Sequence, residues 1–272
     1  MEFENLIYEK KDHIATITLD NPEKLNAMTG RMLASFSRAI ELVDEDDDVR
    51  VVVLTGTGRG FCTGADTEML IALAQGTPVP GAVTEESRRR DAEPIGWFGV
   101  EMSQVAKPTI AAVNGSAVGG GFALAMACDL RIIADDAQFG MASTHRYALP
   151  PEGGITYLLP RIVGLTKACE LLLTGDMVDG VEAERIGLAT RSVPADQVLK
   201  VAMEFAEKIA GNGPIGMELT KELIYRGLDE SSIATQAERE DRALVRGFQT
   251  EDFREGATAW WIDKRKPVFK GR

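Results

Sequence analysis

The sequence predicts an α/β fold, a body of alternating strands and helices followed by a C-terminal region of helices alone. Val49 to Leu54 is an almost continuous β-branched run, the mark of a buried strand, and it ends in the glycine-rich turn Thr55-Gly56-Thr57-Gly58-Arg59-Gly60 ahead of an apolar helix. Thr109 to Val113 repeats that order, with a turn at Asn114-Gly115, the glycines Gly119, Gly120 and Gly121, and a second apolar helix. From Pro194 the strand pattern stops and helical spacing takes over. The expected division is residues 1–195 for the α/β body and 196–272 for the helical region.

Residues 4–9 and 13–19 alternate apolar and polar about Lys10-Lys11-Asp12, an opening hairpin whose second strand is His13 to Leu19. Asn21-Pro22 breaks it. A helix from Thr29 to Val43 then sets Met32, Leu33, Phe36, Ala39, Ile40 and Val43 on one face. Phe61 to Asp66 leads from the first glycine turn into a helix carrying Met69, Leu70, Leu73 and Ala74. Gly76 to Gly96 is rich in glycine and proline and holds Arg88-Arg89-Arg90; it reads as a loop or short helix whose arginines form a solvated face, with contact to phosphates as the alternative. Further strands fall at Leu130 to Ala134, Gln138 to Gly140 and Ala189 to Val193, with helices at 155–163, 167–173 and 181–187 between the last two. Val198, Val201, Phe205 and Ile209 keep the spacing of one buried helix face, and helices follow at 214–226, 231–248 and 251–264.

Composition narrows the function. With 42 acidic against 30 basic residues and a net charge of −12, the chain is a poor general binder of nucleic acid or of a membrane surface. No run approaches the roughly 18 apolar residues of a membrane span. Cys62, Cys128 and Cys169 are widely spaced and the chain opens on polar residues, from which a reducing, cytoplasmic location is expected. His13 and His145 are the only histidines, and neither a Cys/His metal spacing nor a Gly-x-Ser-x-Gly nucleophile turn occurs, so no metal is expected. The first glycine turn fails as a dinucleotide fingerprint because Phe61 stands where the third glycine belongs.

Two glycine-rich helix starts and one carboxylate remain. Bare N–H groups at Gly119-Gly120-Gly121 suit an anion or a developing oxyanion; a turn that only brings strand and helix close together has the same spacing. Glu152 lies in the Pro- and Gly-constrained run Pro150-Pro151-Glu152-Gly153-Gly154, where it reads either as a proton-transfer group or as a surface turn glutamate.

These segments resemble the crotonase family, the enoyl-CoA hydratase/isomerase superfamily. The likeness runs through PEKLNAM, VVVLTGTGRGFCTGAD, KPTIAAVNGSAVGGGFALAMACDLRIIADDAQFG, PRIVGLTKACELLLTGD and KRKPVFK. It implies a spiral of repeated β-β-α units that binds an acyl-CoA thioester, a C-terminal helical trimerisation region, and a homotrimer or homohexamer. By position it implies oxyanion-hole amides at Ala65 and Gly120, and a substrate lining at Ala65, Asp66, Thr67 and Glu68, with Lys24, Thr63 and Lys264 towards the nucleotide. No cofactor is implied beyond the coenzyme A of the substrate.

The hydratases of this family carry two glutamates, one just after the glycines and one shortly after the Phe-Gly strand. Here those positions are Ala123 and Ser143, neither of which is an acid or base. Glu152, in PPEGGITYLLP, falls where Δ3,Δ2-enoyl-CoA isomerases of the family place one working carboxylate. The resemblance therefore implies double-bond isomerisation, with hydration or hydrolysis of an unusual acyl-CoA, and acyl-CoA binding without turnover, as the alternatives.

Overall fold

The computed structural model describes residues 3–77 and 97–272. The segment Gly76 to Gly96, with its arginine run, lies outside the described residues except for Gly76 and Thr77.

The chain opens as a hairpin, β1 (Leu6–Lys11) antiparallel to β2 (Ile14–Leu19). Asp12 and His13 form its two-residue turn with φ of 50° and 67°, the handedness that strand twist favours. His13, expected at the head of the strand, thus closes the turn, with Nδ1 2.8 Å from the Asp48 carboxylate. Helix α1 (Gly30–Glu45) starts where Thr29 Oγ1 accepts the Met32 N–H at 3.1 Å, and it buries Met32, Phe36, Ala39, Ile40 and Val43. Leu33, at the edge of that face, is half-buried.

Three successive turns of chain then repeat one plan: long strand, short strand, helix. They are β3 (Val51–Gly56), β4 (Gly60–Cys62) and α2 (Thr67–Gln75); β5 (Thr109–Val113), β6 (Ser116–Val118) and α4 (Gly120–Met126); β7 (Leu130–Ala134), β8 (Phe139–Gly140) and α5 (Ser143–Tyr147). Helix α3 (Phe98–Gln104) precedes the second turn. With β9 (Arg191–Val193), the long strands form a six-stranded sheet ordered β1-β2-β3-β5-β7-β9, parallel from β2 onward. The short strands form a separate parallel sheet, β4-β6-β8. Each turn adds one strand to each sheet, and the result is the expected spiral of β-β-α units. Strands buried on both faces need apolar runs, as β3 and β5 supply with every residue buried.

Beyond the third turn come α6 (Ile155–Val163), α7 (Leu165–Thr174) and α8 (Gly180–Arg185), then α9 (Val198–Ala210), α10 (Pro214–Gly227), α11 (Ile233–Phe248) and α12 (Glu251–Ala257), which runs into a π-helical turn at Thr258–Asp263. Helix α9 packs on β3, β5 and β7, but the buried face differs from the expected one. Val198, Ala202, Ala206 and Ala210 are buried, while Val201, Phe205 and Ile209 flank them half-buried. The alanine stripe lets the helix approach the sheet closely, so the larger side chains are set aside at its edges. Helix α11 buries no residue, and Ile233, Leu244, Phe248, Trp260 and Trp261 are exposed in the protomer. Among the described residues no helix is long and apolar enough to cross a membrane.

Asn26 ties the first spiral turn together. It is fully buried at φ 56°; Nδ2 donates to Thr57 O at 2.9 Å and to Gly60 O at 2.8 Å, and Oδ1 accepts from Asn21 N at 2.9 Å. Asn26→Ala removes these bonds, leaving only Asn114 Nδ2 on Gly60 O at 3.3 Å, and is expected to cost about 1–3 kcal/mol. Urea denaturation checks this, and a loss below about 0.5 kcal/mol, the usual range of a neutral surface change, contradicts it.

Candidate active site

The site forms where the ends of the short strands meet. After β4 the chain runs Thr63-Gly64-Ala65-Asp66 into α2, with Gly64 at φ 86° and the Asp66 carboxylate accepting the Glu68 N–H at 2.9 Å as N-cap. After β6 it turns at Gly119, φ 58°, into α4. A Cβ on Gly64 would stand 2.9 Å from Val118 O and 3.1 Å from Gly120 N, and one on Gly121 would stand 2.1 Å from Cys62 O. The two turns therefore touch backbone to backbone, which only glycine permits. Ala65 N–H and Gly120 N–H donate to no acceptor among the described residues. Gly120 is the first residue of its helix, so its N–H has no partner within the helix.

Both turns line one cavity of about 70 Å³, walled also by Ser143, Leu149 and Glu152. Glu152 reaches it from the loop between α5 and α6, where Ala148, Gly153 and Gly154 take φ of 54°, 69° and 78°. Its Oε1 lies 3.6 Å from where a Gly120 Cβ would be, so the carboxyl sits over the start of α4. Glu152 is half-buried and its carboxyl makes no ion pair or hydrogen bond among the described residues; burial alone raises its pKa above the ordinary glutamate value. The loop is clamped from two sides. A Cβ on Gly99 would meet Gly153 O at 2.2 Å, and one on Gly153 would meet Ala123 Cβ at 2.7 Å.

That contact explains Ala123. The residue is fully buried against the Glu152-Gly153 turn, so the space into which a longer side chain would extend is filled by the loop that carries Glu152. Ser143 is buried as well, and its Oγ has no hydrogen-bond partner among the described residues.

Thr63 and Ala65 line the cavity with Gly120 and Glu152. Asp66 is buried behind them; burial raises its pKa, but the bond from Lys24 Nζ at 2.9 Å and the Glu68 N–H outweigh that and hold it below the ordinary value. Lys24 also reaches Glu68 at 3.1 Å, so these three form a charged cluster at the start of α2; neither they nor the exposed Thr67 line the cavity itself. Lys264 is not brought to the cavity; it stands at φ 55° after the π-helical turn, with Nζ 5.8 Å from the Trp261 ring centroid. His145 packs on Gly175 and does not line the cavity. Sequence reasoning missed Met28 and Phe98, which flank Gly120, and Arg146 and Tyr147 on the cavity wall. Only Met28 left a signal, inside PEKLNAM. The thiols of Cys62 and Cys128 are buried and pushed up to about 12, which leaves them poor nucleophiles.

The β-β-α spiral brings two glycine-rich turns and a desolvated carboxyl to one cavity. Residues 9–272 match the family model described as enoyl-CoA hydratase/isomerase. The probable enoyl-CoA hydratase EchA12 of Mycobacterium tuberculosis H37Rv is 38% identical over 266 residues, 97% of this chain and 92% of that protein. The putative enoyl-CoA hydratase/isomerase YngF of Bacillus subtilis is 37% identical over 96% of each chain. Among solved structures, enoyl-CoA hydratase from Bacillus anthracis superposes with a TM-score of 0.87 at 34% identity, covering 99% of this chain and 100% of that one. A putative enoyl-CoA hydratase from Streptomyces coelicolor A3(2) gives 0.88 at 32%, covering 100% and 96%. The chain belongs to the enoyl-CoA hydratase/isomerase family and is an enzyme of the crotonase superfamily.

Proposed function

We propose that the protein shifts the double bond of a 3-enoyl-CoA thioester into conjugation, with Glu152 as the single proton carrier. The observation that carries this reading is one desolvated, unpaired carboxyl over Gly120, with Ala123 and Ser143 at the other two places where the family puts acids. The thioester oxygen would lie between the Ala65 and Gly120 N–H groups. The Glu152 carboxylate takes a proton from C2; the electron pair moves into the carbonyl, giving a dienolate whose oxyanion the two amides hold. Protonated Glu152 then delivers the proton to C4 as the electrons return, and the double bond lies between C2 and C3. The step is balanced and consumes nothing else, so coenzyme A is needed only as part of the substrate. Lys24, with Thr63, Asp66, Thr67 and Glu68, would form the rim towards the nucleotide, and Lys264 would reach a nucleotide only if assembly brings it near. Appearance of the conjugated thioester's ultraviolet absorbance from a 3-enoyl-CoA tests the reading, and no such product from any chain length contradicts it.

One observation favours a second reading. Relatives such as EchA12 carry the name hydratase, and Glu152 could activate a water for addition to a 2-enoyl-CoA. Net addition of water to product separates the two.

The reading extends to assembly as a homotrimer or homohexamer through the helices after residue 195. The apolar side chains of Ile233, Leu244, Phe248, Trp260 and Trp261, uncovered in the protomer, support it. Sedimentation velocity is expected to give a trimer or hexamer, and a monomer at micromolar concentration contradicts it.

A further inference from the structure

One strap of chain holds Ala65 from both sides. Met28 N–H donates to Gly64 O at 2.7 Å and Asp66 N–H donates to Met28 O at 3.0 Å, so the residues flanking Ala65 are bonded while its own N–H is left free. The strap leaves the turn Pro22–Lys24 through two left-handed residues, Leu25 at φ 51° and Asn26 at φ 56°, and ends with Met28 against Gly120. It also sets Lys24 at the start of α2, where Nζ meets the Asp66 carboxylate at 2.9 Å.

Asp66 is an awkward neighbour for an oxyanion. The residue is 4% exposed, and its Cα lies one peptide, about 3.8 Å, from that of Ala65. As N-cap it needs only to accept the Glu68 N–H, a task that asparagine performs as well without the charge. In the proposed reaction the negative charge leaves Glu152 and forms on the thioester oxygen held by Ala65, next to Asp66. Like charges this close repel, and a buried carboxylate is poorly screened by solvent. Among the described residues Lys24 is the only cation paired with Asp66; Glu68, the other partner of Lys24, is exposed to solvent.

Resting on the acyl-CoA reading above, we propose that Lys24 is a positioning residue that acts through Asp66: its ammonium cancels the buried carboxylate beside Ala65, so that the paired amides can hold a full oxyanion. This role does not require Lys24 to touch the substrate.

Isotope-edited infrared spectroscopy of bound butyryl-CoA, labelled with carbon-13 at the thioester carbonyl, tests this in the native protein, Lys24→Met, Asp66→Asn and the double variant. In the native protein the carbonyl band should lie below its position in water. Lys24→Met is expected to move it back toward that position, and adding Asp66→Asn to return it to the native one. Turnover of a 3-enoyl-CoA should follow, with kcat about 10-fold lower in Lys24→Met, a smaller change in KM, and most of the loss recovered in the double variant. Weaker binding of butyryl-CoA to Lys24→Met with the band unmoved would place Lys24 on the nucleotide alone and overturn the proposal. A displaced band that the double variant does not restore would also overturn it, because removing a charge cannot mend a strap loosened by the loss of an ion pair. The band is read on a saturated thioester, so it tests Lys24 whether or not a double bond is shifted. Failure of the isomerase reading appears only in turnover.

Discussion

Glu152→Gln is expected to lower double-bond isomerisation by about 10²–10⁴-fold while leaving thioester binding nearly unchanged, the range typical of removing a positioned acid/base group. Glutamine keeps the shape of the side chain over Gly120 and removes only the titratable proton. The stability effect should run the other way. Burial raises the pKa of folded Glu152 above its unfolded value, so the folded state holds its proton more tightly. Its contribution to stability is present below the ordinary glutamate value and is lost as pH rises through the raised one. Above that raised pKa the native protein carries a poorly solvated carboxylate that the glutamine variant lacks. Glu152→Gln should melt at the same temperature as the native protein or higher. The acid limb of kcat/KM should lie above the ordinary glutamate range, because the carboxylate is the active form. An inactive variant that also melted well below the native protein would mean that Glu152 holds the loop together.

Gly64→Ala is the second large effect. The substitution places a side chain at φ 86°, and its Cβ would stand 2.9 Å from Val118 O and 3.1 Å from Gly120 N. Wedging the turns apart moves the Ala65 and Gly120 amides relative to each other, and losing one aligned donor typically costs about 10²–10³ in rate. Backbone strain adds a stability loss of about 1–2 kcal/mol. Gly187→Ala is the control, since Gly187 sits at φ 77° with nothing within 4 Å of its Cβ position. It should pay the strain and keep full activity. Steady-state rates and urea midpoints for the pair separate the two costs, and equal activity in both variants would mean that the spacing of the turns does not matter.

The fold was legible in the sequence because its two signals are local. Buried parallel strands read as apolar runs, and turns that touch backbone to backbone read as glycines, so Val51 to Leu54 and Gly119 to Gly121 announce a repeated strand, turn and helix, while the spiral itself was implied by the family resemblance. The expected face of α9 was displaced because spacing alone favours large side chains, whereas the close approach to β3, β5 and β7 selects Ala202, Ala206 and Ala210. The site was legible only in part. Ala65, Gly120 and Glu152 come from separate elements, and nothing local in the sequence states that Gly153 packs on Ala123. That long-range contact, held by Gly99 on the other side, brings the carboxyl over the glycine turn. Ser143 was legible as a missing acid but not as a buried hydroxyl without a partner, which depends on how α5 packs against its neighbours.

The central claim is that one carboxyl, Glu152, moves a proton between carbons without adding water. Its most direct test is to incubate a 3-enoyl-CoA with the protein in deuterated water and follow the thioester by mass spectrometry. The expected product is a conjugated 2-enoyl-CoA that gains deuterium only by exchange at carbon, with no such product from Glu152→Gln. A product heavier by the elements of water, or isomerisation that survives in Glu152→Gln, would contradict it.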